Sequence, residues 1–361
     1  MHAVNLKKLA LSVITAGALI GAAVVPAATA QAATSPAAVA AAKAQWQSSI
    51  AKVQEPGAGC YQAAYPALSW HSVACITAPN IPLVPKLAHA TAGDAVHAGH
   101  AGPETIGDGS DYSAVVSGLI SKATGTFTNV SSNISESGPN GGSGPSEANS
   151  FSLQLNTQFF SGSPACSRSS DPSQCQAWQQ FVYTYNGDGT GDLFMQYWLI
   201  NYNASCPSGW YSYSPDCYTN SNATEVNEIT AQQLGSVKLG ASAVSGGNDT
   251  VSLSVGSGQA SSVTGKDTKV GLASFWNTTE WGVFGNGGGG AANFGSGNSL
   301  TAQTTLTSTS SGPPSCVEEG FTGETNNLTL TATSPISASS PTLASAQTDG
   351  SAGNASCATA G

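Results

Sequence analysis

Two polar residues lie inside strongly apolar segments, and they are the first candidates for chemistry. In LFMQYWLINY, the alternation of a strand places Gln196 on one face with Phe194 and Trp198. In NTTEWGVFGN, Glu280 lies on the face opposite Trp281. An amide or a carboxylate inside a sheet costs free energy unless it has partners, and neighbouring aromatic rings should partly desolvate the carboxylate. Each residue could bond only a loop backbone or could be catalytic, and the strands alone leave both readings open.

Several common catalytic arrangements are absent from the sequence. It contains no G-x-S-x-G, no H-E-x-x-H and no P-loop, and its five histidines all precede residue 101. A Ser-His-Asp or Cys-His site beyond that point is therefore excluded. Because the cysteines are assigned to disulfides below, a thiolate nucleophile is not expected either. Carboxylates, amides and hydroxyls remain. A fallback set of carboxylates, most of them expected to be solvated in turns, is Glu225, Glu228, Glu318, Glu319 and Glu324.

The low charge excludes one class of partner. Only 8% of the 361 residues are charged, against about 25% in a typical domain, and the formal net charge is -10. No basic patch for nucleic acid can form from so few scattered cations. A chain with few carboxylates and few cations should suffer little from acid denaturation, which favours acidic surroundings. An ordinary neutral secreted protein fits the same composition.

The N-terminus predicts export, and the cysteines agree with it. Lys7 and Lys8 precede an apolar run over 9–25 and then Ala30-Gln31-Ala32, so residues 1–32 are predicted to be a cleaved signal peptide of a secreted, extracellular protein. No other run reaches the roughly 20 apolar residues of a membrane span, and no membrane association is expected. The simplest disulfide pairing joins sequence neighbours: Cys60–Cys75, Cys166–Cys175, Cys206–Cys217 and Cys316–Cys357. Without a C-x-x-C motif, no metal and no cofactor are expected.

The composition divides the chain into four parts. After the signal peptide, residues 33–110 are expected to hold a helix over 35–53 with Ser35 as its cap, a Cys-closed segment, and a Pro/Ala/Gly-rich linker over 77–110. Three linker histidines, His89, His97 and His100, are expected to be solvated. Residues 111–333 alternate short β-rich segments with Gly, Ser and Asn turns, which predicts an all-β antiparallel sandwich. Residues 334–361 are predicted to be a Ser/Ala-rich tail.

The order of segments over about 150–332 resembles the glutamic peptidase (eqolisin) family. The segments that carry the resemblance are AWQQFVY, FMQYWLINY, GWYSYSPDCY, TTEWGVFGN and AANFGSGN. The matching residues are Trp178, Gln196, Trp210, Tyr211, Pro215, Asp216, Glu280, Trp281, Asn293 and Phe294. The resemblance implies a concanavalin-like or jelly-roll-like sandwich, a propeptide within residues 33–110, and a monomeric acid-acting endopeptidase with a polypeptide substrate.

The resemblance also implies roles for individual residues. Glu280 would be the general base that activates a water, and Gln196 would donate an N–H to the developing oxyanion. Trp178 would hold this pair or the water. Further substrate-binding or supporting residues are Trp198, Trp210, Tyr211 and Trp281. This hypothesis requires Gln196 and Glu280 to face one another across a cleft that is open to solvent.

Two alternatives stay open at this point. The first is a non-catalytic sandwich that binds carbohydrate or a cell surface by stacking on exposed aromatic residues, for which Trp210, Tyr211, Tyr213 and Tyr218 are candidates. The second is a disulfide-linked structural protein of the cell exterior. A carbohydrate-binding sandwich needs exposed aromatic rings and tolerates the loss of Glu280.

Overall fold

The computed structural model describes residues 35–86, 106–256, 258–310, 312–335, 341–350 and 356–357. The predicted N-terminal helix is present as α1 (Pro36–Ile50). Ser35 caps it, since the Ser35 side chain accepts a hydrogen bond from the Ala38 N–H. Short 3₁₀ helices lie at Pro164–Arg168, Ala231–Ser236, Asp267–Lys269 and Leu272–Ser274.

Strands make up about half of the described chain. In order they are β1 (Gly59–Ala64), β2 (His71–Val73), β3 (Ile76–Thr77), β4 (Ile106–Gly107), β5 (Tyr112–Val115), β6 (Ile120–Thr128), β7 (Glu136–Pro139), β8 (Ser146–Ala148), β9 (Phe151–Thr157), β10 (Phe160–Ser161), β11 (Gln176–Tyr185), β12 (Thr190–Ile200), β13 (Tyr211–Tyr213), β14 (Asp216–Asn220), β15 (Asn222–Asn227), β16 (Val237–Ser242), β17 (Asn248–Val255), β18 (Gln259–Lys266), β19 (Thr278–Gly285), β20 (Ala291–Phe294), β21 (Ser299–Ser308), β22 (Ser315–Glu318), β23 (Thr325–Asn326), β24 (Leu328–Pro335) and β25 (Thr342–Asp349).

The strands form three sheets. A nine-stranded sheet has the order β2-β1-β18-β17-β16-β6-β21-β25-β24. An eleven-stranded sheet has the main order β13-β14-β12-β11-β9-β19-β5-β22, with β10 beside β11 and with β15 between β12 and β3. A five-stranded sheet has the order β4-β23-β20-β7-β8. The pairs are antiparallel apart from β20 with β23. The predicted all-β antiparallel sandwich is confirmed.

The main core lies between the nine-stranded and eleven-stranded sheets. Strand alternation sends Met195 and Tyr197 of β12 into it, together with Trp281 of β19. The Trp281 ring packs 4.8 Å from the Phe127 ring of β6, centroid to centroid, and its Nε1 donates to the Thr126 carbonyl. Both faces of β12 are buried, as expected for a central strand. The residues between those of the core therefore point to the far side of the eleven-stranded sheet.

The sandwich extends beyond its predicted boundaries of 111 and 333. At one edge of the nine-stranded sheet, β1 pairs with β18 and β2 pairs with β1. The segment predicted to be a Ser/Ala-rich tail contains β25, which lies between β21 and β24. The segment is rich in small residues, yet most of β25 is buried, including Leu343 and Gln347.

All four predicted disulfides are present, between Cys60 and Cys75, Cys166 and Cys175, Cys206 and Cys217, and Cys316 and Cys357. Disulfides persist in oxidising compartments, so these bonds are consistent with an exported protein. The predicted signal peptide and the linker histidines lie outside the described residues. Within the described ranges, α1 and the 3₁₀ helices are all too short or too polar to span a bilayer.

Candidate functional site

The face of the eleven-stranded sheet that points away from the main core, here called the outer face, carries a row of four polar side chains. The register pairs Gln196 of β12 with Gln180 of β11, Gln180 with Asn156 of β9, and Asn156 with Glu280 of β19. Directly paired residues of antiparallel strands point to the same face. The four side chains therefore form one continuous line of amides ending in a carboxylate, and all four are fully buried.

The register separates the two residues that the sequence singled out. Three strand-to-strand steps lie between Gln196 and Glu280, which corresponds to roughly 14 Å between their backbones. The structure places both on the same face but does not bring their side chains together. Gln180 is only two steps from Glu280, or roughly 10 Å, and Asn156 is one step away. The amides that lie nearest to the carboxylate are thus Asn156 and Gln180.

Residues 79–86, here called the strap, run along the outer face and cover Gln196. The Gln196 Oε1 accepts hydrogen bonds from the Leu83 N–H at 2.8 Å and from the Trp198 Nε1 at 2.9 Å. Its Nε2 donates to the Ile81 carbonyl at 3.0 Å and to the Asn220 Oδ1 at 2.9 Å. The hydrogen-bonding capacity of this amide is therefore well used. The cleft that was expected to be open is filled by the chain's own backbone.

The strap corrects the prediction that residues 77–110 form a linker throughout. Leu83 is fully buried, and Val84 is 8% exposed. The composition of IPLVPK resembles a linker because two prolines interrupt it, but its backbone bonds to segments that are distant in sequence. Those partners include the Glu324 Oε1, which accepts from the Val84 N–H, and the Gly288 N–H, which donates to the Pro82 carbonyl.

Residues 319–324, here called the cap loop, cover Glu280. The Glu280 Oε2 accepts hydrogen bonds from the Asn156 Nδ2 at 2.8 Å and from the backbone N–H groups of Phe321 and Thr322 at 3.1 and 3.2 Å. Strand alternation explains the placement, because Trp281 points into the main core and Glu280 must point outward. The expected desolvation of this carboxylate is complete rather than partial.

Burial sets the ionisation of Glu280. Loss of water raises its pKa from 4.5 to about 7, while the hydrogen bonds from Asn156, Phe321 and Thr322 and the charge of Lys86 oppose the rise. Asp111 is a second buried carboxylic acid close by. Its pKa lies well above its ordinary value, first because of burial and second because of the charge on Glu280. With the strap and the cap loop in place, at least one of the two carboxyl groups, Asp111 or Glu280, is therefore expected to be protonated.

Two further polar residues complete the site: Gln154, which the sequence analysis missed, and Glu324, which it expected to be solvated. Gln154 of β9 accepts from Asn156 and Gln180 and donates to the Glu324 Oε2 at 3.3 Å. Glu324, expected in a solvated turn, is fully buried and also accepts from the Thr322 hydroxyl and the Gly289 N–H. The signal that could have revealed them is the strict alternation of FSLQLNT, whose Ser, Gln and Asn share one face.

Several buried oxygens in this row, and one on the adjacent Asp111, have no hydrogen-bond partner among the described residues. They are the Asn156 Oδ1, the Gln180 Oε1, the Glu280 Oε1 and the Asp111 Oδ2. Buried polar atoms are normally satisfied, by protein or by water, and a cluster without partners calls for an explanation. Because Asn156 lies between Gln180 and Glu280, three of these oxygens come from adjacent strands. These oxygens are hydrogen-bond acceptors without a partner beside a buried carboxylate.

The predicted supporting aromatic residues lie in three different places. Trp178 and Trp198 are fully buried on the outer face, where Trp178 Nε1 donates to the Thr157 carbonyl and Trp198 stacks on Tyr218 at 5.0 Å. Trp281 belongs to the main core. Tyr211, on β13, is 43% exposed, and Trp210 beside it is partly buried under the Lys269 ammonium.

Comparisons with known proteins give one structural likeness. No protein-family model matches the chain, and no characterised protein matches it in sequence. Among solved structures, the chain is similar to a crystal structure of scytalido-glutamic peptidase with a transition state analog inhibitor, at 14% sequence identity and a TM-score of 0.33. The likeness covers 65% of this chain and 97% of that one.

Proposed function

We propose that the chain is a secreted, acid-acting endopeptidase that hydrolyses peptide bonds with Glu280 and the carboxamide of Gln180. The observation that carries this proposal is the set of unpartnered oxygens on Glu280, Asn156 and Gln180, in a polar row whose other end, Gln196, binds a peptide backbone. In the proposal, a water among these oxygens has a base on one side and a neutral acceptor on the other. A substrate peptide that continues along the row from Gln196 brings its scissile bond to this water.

The chemistry follows from the proton acceptors available. The water donates one hydrogen to the Glu280 Oε1 and the other to the Gln180 Oε1, which leaves an oxygen lone pair free for the peptide carbonyl. Glu280 takes the first proton as the C–O bond forms. The same proton then passes to the peptide nitrogen, and the C–N bond breaks to give an acid and an amine. Gln180 cannot ionise, so its role does not change with pH.

In this proposal Gln196 binds substrate instead of acting at the reacting carbonyl. It already holds a peptide backbone at two points, through the Leu83 N–H and the Ile81 carbonyl. Its separation from Glu280 by three strand steps places it several residues along a bound peptide. The pair Gln196 and Glu280 would thus act at the two ends of one groove.

The pKa of Glu280 connects ionisation with opening of the groove. At about 7 in the closed structure, the carboxyl is protonated in mild acid and cannot accept a proton. The strap contacts the cap loop through the Val84 carbonyl and the Lys86 N–H, so in this proposal its removal also frees the cap loop that covers Glu280. Water then reaches Glu280 and reduces the burial that is the main cause of the rise. The pKa then falls toward the ordinary value near 4.3, so the open form is ionised in mildly acidic medium.

The test is hydrolysis of denatured protein at acid pH in the presence of an inhibitor of aspartic peptidases. It uses the full chain and a chain whose residues 79–86 are replaced by Gly and Ser. We expect Glu280→Gln to abolish cleavage, and Gln180→Ala to lower kcat on the order of 100-fold. Glu225→Gln is the matched control, because Glu225 is exposed on β15. Circular dichroism checks that each variant is folded.

Two results would contradict the proposal. One is full activity in Glu280→Gln, which would move the base elsewhere. The other is hydrolysis by neither the full chain nor the open chain at any acid pH. If Gln196→Ala loses as much kcat as Gln180→Ala, the catalytic amide is instead the one that the sequence first indicated.

One observation supports the carbohydrate-binding alternative. Tyr211 and Tyr213 each expose 43% of their surface on the edge strand β13, where two rings could stack on a sugar. Tyr218, in contrast, is buried against Trp198. Binding of a glycan that is lost in Tyr211→Ala and kept in Glu280→Gln would favour this function over hydrolysis.

A further inference from the structure

We propose that the strap occupies the substrate groove in the manner of a bound substrate, and that its contacts define the substrate class as an extended polypeptide with adjacent apolar residues. This inference depends on the proposed function in one respect: the peptide that binds the groove is a substrate only if the protein is a peptidase. Occupation of the groove can be tested by binding alone, so that the two proposals can fail separately.

The strap is held largely through its backbone. Its carbonyls accept from the Asn220 Nδ2, the Gly288 N–H and the Gly323 N–H, at Pro79, Pro82 and Val84 respectively. Its amides at Leu83, Val84 and Lys86 donate to the Gln196 Oε1, the Glu324 Oε1 and the Phe321 carbonyl. Groups that bind peptide backbone in extended form do not require one particular sequence, as in the addition of a strand to a sheet. The same groove can therefore take another chain.

The side chains of the strap occupy apolar sites on the outer face. Leu83 packs in a cluster with Val182 and Phe194, and Val84 packs in a neighbouring cluster that contains Trp178 and Trp198. Removal of the strap would uncover the part of each cluster that Leu83 or Val84 contacts. A large exposed apolar patch on a soluble protein normally marks a binding surface. This surface favours two consecutive aliphatic or aromatic side chains.

The end of the strap adds a preference for charge. The Lys86 ammonium lies 2.7 Å from the Glu319 carboxylate and 5.2 Å from the centre of the Phe321 ring. Both partners belong to the cap loop, which also binds Glu280. An acceptor and an aromatic face at this point suit a basic residue two positions after the apolar pair.

The path of the strap matches the spacing of the site. Leu83 contacts Gln196 at one end of the polar row, and Lys86 contacts the cap loop that binds Glu280 at the other. Three residues of extended chain cover roughly 10 Å, about two of the three strand steps between Gln196 and Glu280, and the cap loop covers Glu280 itself. A peptide that follows the strap from Gln196 toward the cap loop would therefore run past Gln180 and Asn156. The scissile bond of the proposed reaction must lie on this path.

The test measures binding of the peptide PNIPLVPK added in trans. The open chain, with residues 79–86 replaced by Gly and Ser, carries Glu280→Gln so that the peptide is not cleaved. We expect saturable binding by fluorescence anisotropy, with at least 10-fold weaker binding of a scrambled peptide and of the full-length Glu280→Gln protein, whose groove is filled. Adding Gln196→Ala should weaken binding about 10-fold, whereas Gln259→Ala, at an exposed position, is the control.

Equal binding to the open and full-length proteins, or no binding to a folded open chain, would overturn the inference. If the open chain does not fold, the double variant Leu83→Pro with Val84→Pro removes two strap donors and keeps the chain length. Hydrogen exchange at Lys86 and Gly323 should then accelerate at least 10-fold, while exchange at Val251 in β17 stays unchanged. Unchanged protection at Lys86 would also overturn it. Specific binding without any hydrolysis by the open chain lacking Glu280→Gln would support the groove and refute the peptidase.

Discussion

Glu280 owes its properties to the few groups that contact it. Asn156 Nδ2 donates to its Oε2 at 2.8 Å and is the largest of the influences that lower its pKa. The opposing influence is burial. A base in such a site works over the pH range in which it is ionised, so the neighbours of Glu280 set the acid limb of activity. Single substitutions of these neighbours should therefore shift the pKa of Glu280.

The first prediction concerns this balance. Replacing Asn156 by Leu removes the donor and should raise the pKa of Glu280, so that more of it is protonated in acid. We expect the acid limb of kcat/KM in the open chain to move to higher pH, with activity in acid reduced on the order of 10-fold. Asn227→Leu, on an exposed part of β15, should leave the profile in place. An unmoved acid limb in Asn156→Leu would mean that Glu280 is not the titrating base.

The sequence identified Glu280 and missed its closest partners for a physical reason. Glu280 stands out because it is a lone carboxylate in TTEWGVFG, a segment that is otherwise uncharged. Gln180, by contrast, follows another Gln in AWQQFVY, and single-strand alternation cannot tell which of the two meets a carboxylate. That information lies in the register of β11 with β9, which is a long-range property. Sequence spacing likewise could not show that Gln196 lies three strand steps from Glu280.

At the scale of elements, the strap shows how composition can mislead. Pro82 and Pro85 favour an extended chain without hydrogen bonds to its own neighbours, which is typical of linkers. The same stiffness suits a chain that lies across a sheet and bonds only to it. Strand alternation, helix capping at Ser35 and neighbour pairing of cysteines were predictable, since each is a local property. The covering of one face by a distant segment is not.

The second prediction tests the contact between the two large sheets. Gly125 of β6 faces the Trp281 ring, and a Cβ on Gly125 would lie only 2.2 Å from it. We expect Gly125→Ala to lower the free energy of unfolding by about 1–3 kcal/mol, because the buried ring has little room to move. Gly235→Ala is the matched control, since the nearest atom to its Cβ is 3.5 Å away. Denaturant titration measures both, and equal stability of the two variants would argue against this packing.

Considering the whole molecule, many of the few acidic groups in the chain lie inside the fold and not on its surface. Several carboxylic acids are buried or, for Asp216, half-buried, and have pKa values raised chiefly by loss of water: Asp111, Glu136, Asp192, Asp216, Asp249, Glu280 and Glu324. The composition predicted tolerance of acid from the small number of charges. The structure adds that many of the acids present are placed where the protonated form is preferred. That placement depends on the fold and could not be derived from the composition.

The third prediction is that the protein is most stable in acid. Burial raises the pKa of Asp249 from 3.8 to about 8 and that of Glu136 from 4.5 to about 8. A raised pKa means that the folded state binds the proton more tightly than the unfolded state does. Its contribution to stability is complete below about pH 4 and is lost as the pH rises toward 8. We therefore expect Tm to fall from mild acid to neutral pH, the reverse of acid denaturation.

Substitution of Asp249 separates this cause from others. Asn resembles the protonated acid, so Asp249→Asn should match the parent protein in acid and exceed its Tm near pH 8, which flattens the decline. Glu225→Gln changes the net charge by the same amount at an exposed position and should leave the decline in place. Thermal unfolding across the pH range decides the matter. A parent protein whose Tm rises toward neutral pH would show that its buried acids do not control stability, and that proton uptake in the unfolded state dominates instead.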